Sequence, residues 1–372
     1  MRRVAVVFGG KSCENEISVL TGVFVLNVLD RTKYEVLPVY LHTDGAFYTA
    51  GKMFDLGTFR KGNYGAFQRI FFEGGTAYLF RGAGKKIKEI GRIDVALNCC
   101  HGGLGEGGGV SALMQMNGIP LASPELTASG VFMDKGLTKL AAKALSVPTV
   151  EFVRFEESEY RRRGAFVLKN IESRLGYPAI VKPARLGSSI GLTVAENEEE
   201  IKEAIEAAFE LDERVVVEKF LKGKKDINCA AYSLGGEIFV SEPEEAASGE
   251  GIYSFSDKYL KGGAAGGKNA EKMQSARGRG SITGELREKI RMYTKTLYKR
   301  MSMYGIVRMD YLLSGDKVYL GEVNTVPGSL AYYLFCDRIS DARGLFGALL
   351  EDAIARAKGG EKRIIRTGIL EG

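Results

Sequence analysis

An acidic hairpin near the C-terminal end constrains this chain more than any other feature. Arg308-Met309-Asp310 follows the apolar pair Ile306-Val307, and Glu322-Val323-Asn324 follows Val318-Tyr319-Leu320. Ser314-Gly315-Asp316 between them has tight-turn composition, which predicts two strands folded back on each other. Alternate residues of a strand share a face, so Asp310, Glu322 and Asn324 are expected to converge with Arg308 beside them. Two carboxylates and an amide oxygen are hard donors, the set suited to Mg2+ (or Mn2+) held against the phosphates of ATP. Arg308 is placed to clamp an oxyanion. The alternative is a solvated hairpin with scattered charge, but an acidic strand face beside an arginine is costly without a counter-ion.

At 372 residues the chain exceeds one ordinary core, so two or three domains are expected. A content of 45% hydrophobic and 26% charged residues is that of a soluble globular protein. The net charge of +6 is spread, with small clusters at Arg161-Arg162-Arg163 and from Lys222 to Lys225. That favours small anionic ligands over nucleic acid, whose binding signatures are missing. No apolar run approaches a membrane span, and Met1 to Gly10 reads as a first strand rather than a secretion signal. Five cysteines without paired spacing point to reduced thiols in the cytoplasm. Cys13, beside a glycine turn, reads as structural or incidental.

The first third alternates strand and helix. Val4 to Phe8 is a buried-strand run, Gly9-Gly10-Lys11-Ser12 a turn, and Ile17, Leu20, Phe24 and Val28 recur at helical spacing. Val36 to Leu41 and Val95 to Asn98 supply further strands, the pattern of a parallel α/β layer. Leu113 to Met116, stopped by Asn117-Gly118, is a helix with its C-cap. A second unit begins near Ala122 with a helix stripe at Leu137, Leu140, Ala141 and Leu145 that exits at Pro148. Strands at 179–182, 192–195 and 215–218 and a helix on Ile201, Ala204, Ile205 and Ala208 follow, an antiparallel sheet with helices on one face. The third unit carries a strand from Asn228 to Leu234 and an amphipathic helix on Leu286, Ile290, Tyr293, Leu297 and Met301. Between them, residues 248–281 are rich in Gly, Ser, Lys and Arg, which reads as a functional lid or a loose segment. Residues 359–372 read as a loosely held tail. The division expected is 1–122, 123–218 and 219–372.

Several other segments carry chemistry. Gly187-Ser188-Ser189-Ile190-Gly191 follows the strand ending in Lys182-Pro183; glycines admit a phosphate, the two hydroxyls and exposed N–H groups bind it, and Lys182 neutralises it. The alternative is an ordinary hairpin. Glu218-Lys219-Phe220-Leu221 lies at a hinge suited to a flat base such as adenine: Glu218 accepts from its amine, Phe220 and Leu221 wall the ring, and Asp226 takes ribose hydroxyls. Alone, the same residues read as a solvated strand end. His101, in Cys99-Cys100-His101-Gly102-Gly103-Leu104-Gly105-Glu106, follows a strand end where open sheets place ligands, with Glu106 orienting its ring. His42, in a Thr-Asp-Gly turn, reads as structural. Glu14 sits at a helix N-terminus, where capping suffices to explain it. Ser256-Asp257-Lys258-Tyr259-Leu260 is an apolar knot that either docks the long loop as a lid or merely anchors it.

In this order, the segments resemble the D-alanine–D-alanine ligase family of ATP-grasp enzymes across nearly the whole chain. The carrying residues run from Phe8-Gly9-Gly10 through Ser18, then His101-Gly102 with Glu106 and Met133-Asp134-Lys135. Val181-Lys182-Pro183 with Gly187 to Gly191, Lys258-Tyr259-Leu260, Arg308-Met309-Asp310, Glu322-Val323-Asn324-Thr325 and Pro327-Gly328 complete the set. The resemblance implies a three-domain ATP-grasp fold, an N-terminal parallel α/β layer with ATP between two mainly antiparallel sheets, and a homodimer. It implies an ATP-driven amide synthesis: one amino acid's carboxylate takes the γ-phosphoryl group, and the amine of a second attacks the acyl phosphate and expels phosphate. Glu14 would hold the first substrate's ammonium and join Ser188 and Tyr259 in a hydrogen-bonded set, with His101 beside that substrate. Lys135, Lys182, Ser189 and Lys258 would face phosphates, and Glu218, Phe220, Leu221 and Asp226 the nucleoside. Asp310, Glu322 and Asn324 would carry magnesium, and Arg308 with the Gly328 N–H would meet the tetrahedral oxyanion.

Two segments depart from the family pattern. Gly107-Gly108-Gly109 replaces the usual Asp-Gly-Thr after Glu106. After Pro327-Gly328 the run Ser329-Leu330-Ala331-Tyr332-Tyr333-Leu334-Phe335 puts Tyr333 where the family has a serine for the second substrate's carboxylate. The phosphorylation half looks intact and the acceptor half altered, so the alternatives are a ligase joining a different amino-acid pair and a non-catalytic ATP-binding paralogue.

Overall fold

The computed structural model describes residues 1–62, 64–81, 86–246, 278–279 and 282–359. Lys258, Tyr259 and nearly all of the expected lid lie outside them, as does the tail beyond Gly359.

The first sheet holds β1 (Arg2–Gly9), β2 (Tyr34–Leu41), β3 (Phe47–Thr49), β4 (Gln68–Glu73), β5 (Thr76–Arg81), β6 (Lys86–Arg92) and β7 (Val95–Asn98) in the order β6-β5-β4-β3-β2-β1-β7. β2, β1 and β7 are parallel. The unbroken apolar run of β1 follows from cover on both faces. Val4, Val6 and Phe8 enter one core with α1 (Asn15–Val28), while Ala5 and Val7 enter another. Each large side chain buried this way contributes roughly 1.5–3 kcal/mol. Helix α1 lies so close that a Cβ on Gly22 would stand 2.3 Å from the Phe8 ring. The sequence reading did not assign β3 to β6, an antiparallel meander that widens the parallel layer, nor the short α2 (Leu56–Arg60). Helix α3 (Val110–Met116) ends at Asn117 with Gly118 at φ +66°, as expected.

Next come α4 (Leu126–Met133) and α5 (Lys135–Ala144), the latter capped by Asp134, whose carboxylate accepts the Leu137 N–H at 3.0 Å. The expected buried stripe of α5 is out of phase: Leu140 is exposed, and Gly136, Thr138, Lys139 and Ala142 face inward. Although the sequence division grouped 126–144 with the central unit, Ala128, Phe132 and Ala142 pack into the core of the third sheet.

The central sheet is antiparallel: β8 (Phe152–Glu156), β9 (Ala179–Pro183), β10 (Thr193–Ala195) and β11 (Arg214–Lys219), in the order β10-β9-β11-β8. Its outer face packs on α6 (Glu157–Leu175), unassigned from sequence, and α7 (Glu198–Phe209). All four residues of the α7 stripe are buried.

The third sheet contains β12 (Lys225–Leu234), β13 (Glu237–Val240), β14 (Glu244–Glu245), β15 (Gly278–Arg279), β16 (Val307–Ser314) and β17 (Lys317–Asn324). Val307, Met309, Tyr311 and Leu313 alternate into the core against α8 (Gly284–Arg300), leaving Arg308 and Asp310 on the opposite face. The last helix, α9 (Ile339–Gly359), returns to the first sheet, where Phe346 and Leu350 share a core with α1. Among the described residues no helix is long and apolar enough to cross a membrane.

Candidate active site

The hairpin turns over Gly315-Asp316, with Gly315 in the left-handed region at φ +61°. Counting back from the turn, Tyr311 opposes Leu320; the register then slips at Gly321, so Asp310 opposes Glu322 and Arg308 opposes Asn324. This bulge brings all four side chains to one face. A Cβ on Gly321 would lie 3.0 Å from the Asp310 carbonyl oxygen, tight enough to explain the glycine. Arg308 donates to Asp310 through Nε at 2.7 Å and Nη2 at 2.8 Å, and Asn324 Nδ2 donates to Asp310 Oδ2 at 3.0 Å. Arg308 Nη1 also donates to the Tyr333 hydroxyl at 3.1 Å. Two partly exposed carboxylates opposed across a ladder, with an amide adjacent, fit a hard divalent cation that keeps water and phosphate oxygens among its ligands.

Lys135 connects this hairpin to the central sheet. Asp134 starts α5 one residue earlier, and the Lys135 N–H donates to the Ala184 carbonyl at 2.9 Å. Its ammonium donates to the Leu186 carbonyl, beside the glycine–serine turn, and lies 3.8 Å from Glu322 Oε2. On the same inner face, Lys182 of β9 and Glu218 of β11 pair at 3.1 Å. Lys139, one turn after Lys135, also approaches Glu218 Oε1 at 3.1 Å and is fully buried. Burial acts to raise the Glu218 carboxyl, but the two ammonium groups outweigh it and hold it below the usual range. Glu218 is therefore engaged by two lysines rather than standing ready for a base alone. Lys139 escaped sequence reading because the α5 stripe was phased on its leucines; its spacing of four from Lys135 was the available signal.

The glycine–serine turn reaches the first sheet. Ser188 and Ser189 are left-handed, at φ +53° and +59°, a conformation costing about 1–2 kcal/mol per residue. It turns the Ser188 hydroxyl onto Glu14 Oε1, a bond between two buried side chains 174 residues apart. A Cβ on Gly187 would sit 2.6 Å from the Glu14 carboxylate. Glu14 does occupy the N-cap of α1, but its side chain makes no capping bond there; it takes the Ser188 hydroxyl instead, the contact that the family resemblance implies.

His101 lies three residues past the end of β7. Its carbonyl accepts from the Ser12 hydroxyl at 2.6 Å, and its Nε2 lies 2.8 Å from Thr21 Oγ1. Glu106 does not orient this ring. It accepts the Gly102 N–H at 2.8 Å, the Val326 N–H at 3.1 Å and the Thr325 hydroxyl at 3.2 Å, pinning the chain just past Asn324. Burial, then the Glu14 charge, push its carboxyl up to about 7 against those three donors. Burial lowers His101 to about 4, so the ring is neutral at physiological pH. The folded protein binds this proton less well than the unfolded chain, so the contribution is complete above pH 6.5 and is lost as pH falls through about 4. Urea titrations at pH 7 and pH 4 should show the unmodified protein losing about 3 kcal/mol more stability over that interval than His101→Asn.

Among the nucleoside candidates, Phe220 and Leu221 are half-buried just past β11, and the Phe220 N–H donates to the Pro178 carbonyl at 3.2 Å. Asp226, on β12, pairs with Lys224 at 2.6 Å. Gly328 opens a short helical turn through Leu334, in which Ser329, Leu330 and Ala331 are left-handed.

Two family profiles match the chain: one described as D-ala D-ala ligase N-terminus over residues 3–124, and one described as D-ala D-ala ligase C-terminus over 141–354. A D-alanine--D-alanine ligase of Thermosipho africanus is 33% identical over 341 residues, covering 90% of this chain and 88% of its own. That of Caldicellulosiruptor bescii is 31% identical, covering 98% of each. The crystal structure of D-Alanine-D-Alanine Ligase from Helicobacter pylori superposes with a TM-score of 0.74 at 26% identity, over 95% of this chain and 98% of that one. The mixed sheets and the ordered site segments agree with these matches: the chain belongs to the D-ala D-ala ligase family, with its ATP-grasp fold.

Proposed function

We propose that this protein joins two molecules of D-alanine into D-alanyl-D-alanine at the expense of ATP, through an acyl phosphate, as a cytoplasmic step in peptidoglycan precursor synthesis. Family membership supports the reaction. The observation that carries the residue roles is the reach of Lys135 from the glycine–serine turn to Glu322, which joins phosphate-binding chemistry to the acidic hairpin.

In this reading Glu14, held by Ser188, takes the ammonium of the first D-alanine, and His101 and Glu106 lie at the end of that subsite. Lys135, Lys182 and Ser189 meet the phosphates, while Glu218, Phe220, Leu221 and Asp226 hold the nucleoside. Lys258 and Tyr259, outside the described residues, complete the phosphate and lid contacts. Asp310, Glu322 and Asn324 hold Mg2+, which when bound neutralises phosphate charge. The first carboxylate oxygen attacks the γ-phosphorus as ADP leaves. The second amine then attacks the acyl carbon, phosphate departs, and Arg308 with the Gly328 N–H stabilise the oxyanion between those events. Positioning and charge neutralisation suffice, without a protein nucleophile. The division into 1–122, 123–218 and 219–372 rests on the strand and helix pattern of the sequence, and a homodimeric assembly on the family resemblance.

A second reading, a different acceptor, is favoured by one contact: the Tyr333 hydroxyl on Arg308 at 3.1 Å. Incubation with ATP, Mg2+ and D-alanine should yield D-alanyl-D-alanine and one ADP per product, read by mass spectrometry and ADP release. Offering D- and L-amino acids and hydroxy acids together reads the acceptor directly, and a strong preference for another one replaces that half of the reading. Absence of magnesium-dependent ADP release with every acceptor leaves only the non-catalytic paralogue.

A further inference from the structure

The segment from Val326 to Ser329 carries Gly328 and is bonded on both sides. Glu106 holds the Val326 N–H at 3.1 Å, and Thr21 Oγ1 holds the Ser329 N–H at 3.0 Å. Beyond it, Ser329, Leu330 and Ala331 form three consecutive left-handed residues, at φ +51°, +52° and +45°. Such a run of L-residues costs on the order of 1–2 kcal/mol each and persists only where its surroundings over-determine it. Leu330 and Ala331 are fixed by burial. Ser329 is fixed by Thr21.

Threonine in a helix ordinarily returns its hydroxyl to a carbonyl of its own helix. Thr21, buried at 1% exposure in α1, instead directs its oxygen to Ser329 on one side and to His101 Nε2, 2.8 Å away, on the other. A hydroxyl has one proton. Since Oγ1 accepts from the Ser329 N–H, its own proton is free to point at His101 Nε2. The imidazole also lies beside the Val326 backbone, whose effect on the ring opposes that of burial. Directed bonds then run from the Ser329 N–H to Thr21 and from Thr21 to Nε2, which leaves the proton of the neutral ring on Nδ1.

We propose that Thr21 is a positioning residue for the ligation: its hydroxyl locks His101 as the Nδ1–H tautomer and ties the imidazole to the turn that presents the Gly328 N–H. This rests on the oxyanion role proposed for Gly328. Thr21 touches no reacting atom; it aligns His101, which follows the first sheet, with the turn that follows the third.

The test has a spectroscopic arm and a kinetic arm. The chain contains two histidines, His42 and His101, so its imidazole 15N spectrum has two rings, and His42→Asn assigns them. In the unmodified protein, His101 Nε2 should be unprotonated at pH 7; an Nε2–H ring overturns the proposal whatever the activity. Thr21→Val keeps shape and branching and removes only the donor. It should lower kcat by about 10- to 100-fold, with the KM for ATP unchanged, as misalignment of a reacting group does, and should shift His101 away from the single Nδ1–H form. Thr21→Ser restores the donor and should recover most of the rate and the tautomer. If Thr21→Val does not fold, the wild-type spectrum and Thr21→Ser decide. Unaltered kcat and tautomer in folded Thr21→Val overturn it. Failure of the wild-type protein to ligate D-alanine refutes the proposed function instead, and leaves the spectroscopic result standing.

Discussion

Asp310→Asn is expected to reduce ADP release by about 10^3-fold while leaving the protein folded, because it removes one charge from the pair proposed to hold the metal against the phosphates. Asp310 is half-buried, and its contacts run sideways to Arg308 and Asn324 rather than into the core beneath. Asparagine retains one acceptor for Arg308, so the stability loss should stay within about 1–3 kcal/mol, the range for a buried polar group left without its partner. ATP binding should weaken far less than turnover falls, since the lysines on the other sheet remain. Glu322→Gln should act in the same direction, because the bulge at Gly321 makes the two carboxylates direct neighbours. If the hairpin were only a solvated face, both variants would be silent. A folded Asp310→Asn that turns over within tenfold of the wild-type rate therefore refutes the metal assignment, and a urea midpoint beside the rate distinguishes that result from unfolding.

What the sequence discloses is chiefly what periodicity and local turn chemistry determine. The α7 stripe, the turn at Gly315 and the pairing of β9 with β10 are local patterns, and all are found. The acidic hairpin is legible because its charged residues interrupt apolar runs, whereas the bulge that aligns them leaves a fainter mark. Its trace is the uneven spacing of buried Val318, Leu320 and Val323 around Gly321. Tertiary context decided the rest. Helix α5 turns Lys139 inward because Glu218 waits on another sheet, a fact that hydropathy phase alone reads backwards. Read from their local sequence alone, Glu106 faces the imidazole and Glu14 the helix end. Both instead bind residues brought by distant parts of the chain, Val326 and Ser188. Such long-range bonds leave no periodic trace; the family resemblance implies the one between Glu14 and Ser188 but not the one between Glu106 and Val326.

The bond between Glu14 and Ser188 supports the second large prediction. It crosses from the first sheet to the central one, and both partners are buried at 8% and 5% exposure. A buried carboxylate that loses its donor bears the desolvation cost alone, so Ser188→Ala should raise the KM for the first D-alanine by roughly tenfold. Glu14→Gln removes the charge proposed to meet the ammonium and should raise it by about 10^2-fold, since hydrogen bonds to charged groups are worth about 1.5–3 kcal/mol and the attraction to the substrate's charge adds to that. The two losses should not add. Once Glu14 is glutamine, the serine has little left to orient, and the double variant should resemble Glu14→Gln alone to within about threefold, a coupling of at least 0.5 kcal/mol. Steady-state kinetics with D-alanine varied at saturating ATP measure the whole cycle. Strict additivity would mean that Ser188 acts on the phosphates through its own hydroxyl, and the contact with Glu14 would then be a matter of packing between sheets rather than of substrate recognition.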